Sequence, residues 1–295
     1  MITDIKSDVQ IQKLQDYQSL DWVGMQRIQS SLRHHENLIP CDLALGVNLI
    51  EGHRGIHMSR LYSLMMDYFL QQELTTQGLD QLLTKAITSQ EGISTHASLS
   101  LTYKLPVKTQ ALKSGKEGFR NYDVSVSALK VTGESLKVWL KFAVLYSSTC
   151  PQSAALSVET FNSQTASPVK TIDRLPATPH AQRSVMECEL LLTDKDHFDV
   201  NDLLKSFIQI IENTLKTPVQ TAVKKADEMA FAVLNSENLM FCEDAVRRVD
   251  SELKARIQHK PVELIGYRIK TRHEESLHPH DAVSQKSFNY TFFPN

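Results

Sequence analysis

The sequence predicts an α+β chain in which a strand-strand-helix-helix-strand-strand unit occurs twice in tandem. Three observations carry that prediction. Apolar residues alternate with period two in paired segments. Amphipathic helical patterns lie between those pairs. Strands and helices do not alternate one for one, as a parallel sheet would require. An antiparallel sheet follows, with helices on one face and the other face open to a partner subunit.

The first unit, residues 1–132, opens with a strand over 22–33 that turns Val23, Met25 and Ile28 inward. A second over 40–50 places Cys41, Leu43, Leu45, Val47 and Leu49 on one face. Gly55-Ile56-His57-Met58-Ser59-Arg60-Leu61 opens a helical pattern running to Gln72. A second helix carries Leu79, Leu82, Leu83 and Ile87. Alternation returns over 95–106 and 121–131, and Lys108–Gly118, with Ser114-Gly115-Lys116, reads as an exposed loop.

The second unit, residues 133–295, is divided from the first at Thr132-Gly133. Its strands fall at 136–147, with Val138, Leu140, Phe142, Val144 and Tyr146 inward, and at 184–192. Between them, 152–179 is rich in Ser, Thr, Ala and Pro and reads as a long irregular loop. An amphipathic helix over 199–216 has Asp199 or Asn201 as its cap. Helices near 225–234 and 241–257 and strands at 261–271 and 284–292 complete the unit. The repeat points to two tandem modules.

Composition limits the function. The 295 residues hold 32 Lys+Arg against 34 Asp+Glu, a net charge of -2. A general nucleic-acid binder needs a basic excess to displace counterions, so nucleic acid is not an expected partner. Apolar residues make up 41%, enough for a large core, yet no apolar run reaches the roughly 18–20 residues that span a bilayer. The first residues lack the basic-then-apolar layout of a secretory signal, and Cys41, Cys150, Cys188 and Cys242 are widely spaced. A reducing compartment, the cytoplasm, is expected.

Several residues could carry chemistry. Cys150 ends the strand at 136–147, and His180 precedes the next. If those strands pair as a hairpin, its open end brings thiol and imidazole together, a donor pair suited to Zn²⁺ or another borderline transition metal. His278-Pro279-His280 forms a stiff turn between the last two strands, either simply solvated or reactive. Glu228 lies in a charged stretch, and Glu243 at a helix start, where it could cap backbone donors or face a cleft. His57, Ser59 and Arg60 could meet phosphate at a helix N-terminus. No Walker loop or GxGxxG occurs.

Six segments in register resemble one family. They are Gly55–Arg60, Cys150-Pro151 followed by Ser153, His180 with Gln182-Arg183-Ser184, Asp227-Glu228, Phe241-Cys242-Glu243-Asp244, and Glu275–His280. Together they resemble the type IB GTP cyclohydrolases, the metal-dependent form of the first folate-pathway enzyme. The resemblance implies the tunnelling fold, here as two tandem modules, assembled as a homotetramer. It implies Cys150, His180 and Glu228 as ligands of one divalent metal (Zn, Mn or Fe). It implies Glu243 as the carboxylate that grips the purine edge, and Cys150, His278 and His280 at the reacting centre. His57, Arg60 and Arg183 would receive the triphosphate. GTP would be hydrolysed to 7,8-dihydroneopterin triphosphate and formate. Where the family often has a second cysteine, this chain has Gln152, and Ala181 stands where Asn is common.

Two other functions fit the same fold. Glu134-Ser135-Leu136-Lys137 superficially resembles the signature of the NADPH-dependent nitrile reductase of queuosine synthesis, which uses a cysteine nucleophile and no metal. A non-enzymatic pteridine-binding protein is the other.

Overall fold

A computed structural model of the chain describes residues 17–164, 177–193, 197–259 and 264–294. Among these residues, eight strands form one antiparallel sheet in sequence order. They are β1 (Leu20–His34), β2 (Asn37–Leu49), β3 (His96–Gln110), β4 (Glu117–Val131), β5 (Lys137–Thr149), β6 (Ala181–Thr193), β7 (Leu264–His273) and β8 (Ala282–Phe288). Among the described residues, six helices accompany them: α1 (Met58–Gln71), α2 (Thr76–Thr88), α3 (Pro151–Gln164), α4 (Val200–Leu215), α5 (Lys225–Glu237) and α6 (Cys242–His259). None is long and apolar enough to cross a membrane.

Strand parity builds the core. Leu43 and Leu45 of β2, Leu99 and Leu101 of β3, Val126 of β4, Leu140 and Phe142 of β5, Leu190 of β6 and Ile269 of β7 all turn to one face. There they meet Leu61 and Met65 of α1, Leu79 and Leu83 of α2, Leu204 and Ile211 of α4, and Val249 and Leu253 of α6 in a single apolar cluster. Toward the middle of the strands, many alternate residues are polar. Asp42, Lys104, Asp123, Lys141 and Glu187 line a hollow of about 920 Å³ over the central strands.

The sheet runs unbroken across the expected division at 132/133. Gly133 takes a φ of 83° in the β4–β5 turn, and Val126 pairs with Leu140 beyond it. Asp199 caps α4, its carboxylate accepting from the Asp202 amide at 2.8 Å.

Two expectations from the sequence are corrected. The stretch read as an irregular loop over 152–179 begins with α3, and residues 165–176 lie outside the described residues. The segment Lys108–Gly118 is strand at both ends: β3 and β4 stay paired out to Gln110 and Glu117, and only residues 111–116, with Ser114-Gly115-Lys116, form the turn, closed by the Ala111 amide on the Lys116 carbonyl at 2.9 Å.

Candidate active site

The site begins at the open end of the β5–β6 hairpin. Thr149 pairs with Ala181, and one step beyond, the Cys150 amide donates to the His180 carbonyl at 3.2 Å. Pro151 occupies the first position of α3, where its missing N–H costs nothing. Cys150 therefore stands at the helix start, and its Sγ accepts from the Ser153 amide at 3.5 Å. Ser153 Oγ in turn accepts the His180 amide at 3.1 Å, so one short turn fixes both candidate ligands.

A buried polar network holds the imidazole. His180 Nδ1 lies 3.1 Å from Gln182 Oε1, and Gln182 Nε2 donates to Ser148 Oγ at 2.8 Å. Ser148 Oγ also meets Ser184 Oγ at 2.8 Å and His273 Nδ1 at 3.2 Å. His273 Nε2 reaches Tyr146 OH at 2.9 Å, which contacts Thr271 Oγ1 at 2.7 Å. Because the Gln182 amide already gives its N–H to Ser148, its oxygen faces His180, which must then carry its proton on Nδ1. That tautomer leaves the lone pair on Nε2. Burial pushes the His273 imidazole down to about 4, against a smaller upward pull from Glu243.

Two further elements close on this end. The Met240 amide donates to the Thr149 carbonyl at 3.2 Å and seats the start of α6 beside β5. There the Cys242 thiol donates to Glu243 Oε2 at 3.2 Å. The Glu243 carboxyl is held below its ordinary value by its own backbone N–H and by that thiol. Burial pushes Cys242 up to about 11, so it stays a thiol and a donor. Beyond β7, Glu275 places a carboxylate oxygen 3.9 Å from His180 Nδ1. His278 and His280 follow on an exposed turn, their rings stacked 5.0 Å apart.

Glu228 and Arg183 line a neighbouring cleft of about 370 Å³ with Tyr146, Gln182, Val219 and Phe231. Glu228 is exposed at the start of α5. Its neighbour Asp227 is fully buried and anchors the helix, accepting from the amides of Lys113 at 2.7 Å, Ser114 at 2.8 Å and Lys224 at 2.8 Å, and from Ser114 Oγ at 2.6 Å. These bonds hold the Asp227 carboxyl far below its ordinary value.

The single chain thus sets Cys150 and His180 side by side and Glu243 at the same end of the sheet, with Glu228 and Arg183 in the adjoining cleft. Cys150, His180 and Glu228 are not gathered within 4.8 Å of one another. His57 and Arg60 lie elsewhere. They follow the end of β2, and the strand register puts that end opposite the one carrying Cys150. The His57 amide donates to Gln90 Oε1 at 2.7 Å, and Arg60 Nη1 bonds Ser89 O and Glu91 Oε1, each at 2.7 Å.

Gln182, Ser148 and His273 carry roles that the sequence reading did not assign. A signal existed. Continuing the inward parity of each strand gives Tyr146 and Ser148 on β5, Ser184 and Gln182 on β6, and Thr271 and His273 on β7. Polar residues at inward positions of three adjacent strand ends mark a built polar pocket.

The family model described as "Type I GTP cyclohydrolase folE2" matches residues 7–284. The chain belongs to that family. It is 38% identical over 287 residues to "GTP cyclohydrolase FolE2" of Serratia proteamaculans (strain 568), covering 91% of this chain and 89% of that protein. The Klebsiella pneumoniae protein of the same name is 37% identical over 287 residues, with coverages of 91% and 92%. Among solved structures, a hyper-thermostable AgUricase mutant superposes with a TM-score of 0.50 at 10% identity, over 90% of this chain and 91% of that one. That likeness is one of fold alone. In this FolE2 family member, the matched segment contains all six motifs quoted from the sequence.

Proposed function

We propose that this GTP cyclohydrolase is of the metal-dependent type IB, converting GTP and water to 7,8-dihydroneopterin triphosphate and formate in the cytoplasm, as a homotetramer of tandem tunnelling-fold modules. The observation that carries the metal reading is the donor set. A thiol and an imidazole meet at one hairpin end, the imidazole Nδ1 is held by an amide oxygen, and the Glu275 carboxylate lies 3.9 Å from that nitrogen. That is the arrangement a ligating histidine needs, its other nitrogen engaged by an acceptor. The donors fit Zn²⁺, Mn²⁺ or Fe²⁺. Cys150, His180 and Glu228 would hold the ion, Glu228 reaching in from the adjoining cleft. When bound, the ion supplies Lewis acidity and lowers the pKa of water to near neutrality.

The residues of the chain do the rest. Glu243, ionised at the start of α6, accepts two parallel N–H bonds from the guanine edge and fixes the ring. One water adds to C8 and opens the five-membered ring. A second releases C8 as formate. The ribose opens, rearranges and closes onto the freed nitrogen with loss of one water, so one water is consumed overall. His278 and His280 move the protons, since an imidazole ring can both donate and accept one. Arg183 meets the triphosphate from the cleft it shares with Glu228. His57 and Arg60, at the far end of the sheet, reach a triphosphate only across a subunit boundary, which is the reason for favouring an oligomeric site.

The test is turnover of GTP by Glu243→Gln, followed through formate and pterin fluorescence after oxidation. A raised KM on a folded protein supports the guanine anchor, and an unchanged KM removes it.

A further inference from the structure

Among the described residues, the group of three metal-ligating side chains whose ligand atoms all lie within 4.8 Å of one another is His34, His35 and Asp202. None belongs to the site above. They stand at the β1–β2 turn and on the first turn of α4, and β2 is separated from β5 by three strand spacings, about 14 Å.

The group is built by the fold. His34 ends β1 and is 5% exposed. His35 takes a φ of 52°, a left-handed conformation uncommon outside glycine. Its amide donates to Glu73 Oε1 at 2.8 Å, which holds it there. The rings of His34 and His35 lie 4.2 Å apart, and His35 Nε2 is 4.0 Å from Asp202 Oδ1. A cation already sits among them: Lys205 Nζ is 2.6 Å from His34 Nε2 and 3.5 Å from Asp202 Oδ1. His34 Nε2 therefore presents a lone pair to a positive charge. His34 Nδ1 is buried with no hydrogen-bond partner among the described residues.

We propose that His34, His35 and Asp202 form a second site for a borderline divalent transition metal of the Zn²⁺ class, with the Lys205 ammonium as its stand-in when no ion is bound. Two imidazoles and one carboxylate are a common zinc donor set, leaving a coordination position for water. Lys205 lies three residues after Asp202 on α4, and its side chain is 31% exposed, so it swings outward as the ion enters. The bound ion ties the β1–β2 turn to α4.

The signs of the variants test this. The full chain carrying Cys150→Ala, which removes the thiol from the other site, is titrated with zinc chloride against a chromophoric chelator. A remaining zinc site is expected. His35→Ala and Asp202→Asn, both at exposed residues, weaken it by about tenfold or more. Lys205→Met tightens it by about tenfold, because the competing charge is gone. Zinc binding that His35→Ala and Asp202→Asn leave unchanged overturns the site. So does a Lys205→Met variant that binds zinc no more tightly than its parent, since Lys205 would then be a plain structural partner. Circular dichroism of each variant confirms that the fold is kept.

Discussion

Cys150 and His180 meet across the last rung of the β5–β6 hairpin, the amide of one donating to the carbonyl of the other at 3.2 Å. Strand pairing alone imposes this. Thirteen consecutive pairs from Lys137–Thr193 to Thr149–Ala181 fix the register, so the next residue on each strand must lie side by side. Helix α3, which follows Cys150, leaves that pairing intact.

Cys150→Ala should therefore remove activity without unfolding the protein. The side chain is half-buried, and the hairpin bond it flanks is made by backbone. Turnover of GTP should fall by at least about a hundredfold, in line with losing more than an outer-shell partner. The thermal midpoint should move little. Wild-type turnover with any added metal would take Cys150 out of the site.

Gln182 bridges the candidate ligand and the buried network, and its replacement should separate orientation from chemistry. Gln182→Ala frees the His180 ring and strips a donor from Ser148 Oγ, costing about 1 kcal/mol of stability. Metal affinity should drop about 10–100-fold, with most of the turnover restored at saturating metal. Loss of turnover that no metal concentration restores would show that Gln182 acts on substrate instead.

Cys242 bears on Glu243. The thiol donates to the carboxylate at 3.2 Å, so Cys242→Ser, which keeps a donor, should leave KM for GTP near the parent value. Cys242→Ala should raise KM with little change in kcat, since it removes the hydrogen bond that positions Glu243 and no group that acts on the reacting atoms. Equal effects of both substitutions would mean that the sulfur's volume matters and its hydrogen bond does not.

His273 sets an acid limit on stability. Burial lowers its pKa from 6.5 to about 4, so between those values the unfolded chain binds more protons than the folded one. The stabilisation from keeping the ring neutral is complete above about 6.5. It is lost as pH falls towards 4, a loss on the order of 3 kcal/mol. Urea midpoints measured at neutral pH and near 4.5 should therefore fall further for the parent than for His273→Gln. Parallel losses in both proteins would contradict this.

Most of the fold was legible in the sequence because strands and helices write their burial at periods of 2 and 3.6. The alternation through Val138, Leu140, Phe142, Val144 and Tyr146 named β5 and its inward face. Helix α3 was missed for the converse reason. It exposes Leu156, Val158 and Phe161 and adds no face to the core, so its pattern carries no periodic signal, and only Pro151 and the Ala154-Ala155-Leu156 run mark its start. Within the site, the hairpin logic found Cys150 and His180. Gln182, Ser148 and His273 escaped because a polar residue at an inward position reads as the end of a strand until its partners are seen. His57 and Arg60 were grouped with the site by motif, while the single chain sets them at the opposite end of the sheet. Which parts of two subunits meet is not encoded in the periodicity of one.

The most direct test of the account is GTP turnover by chelator-stripped protein refilled separately with Zn²⁺, Mn²⁺ and Fe²⁺, with formate and oxidised, dephosphorylated neopterin measured together. The account predicts no product from the stripped protein and equal amounts of both products once a suitable ion is restored. Full turnover by the stripped protein, or neither product with any ion from folded protein that binds GTP, would contradict it.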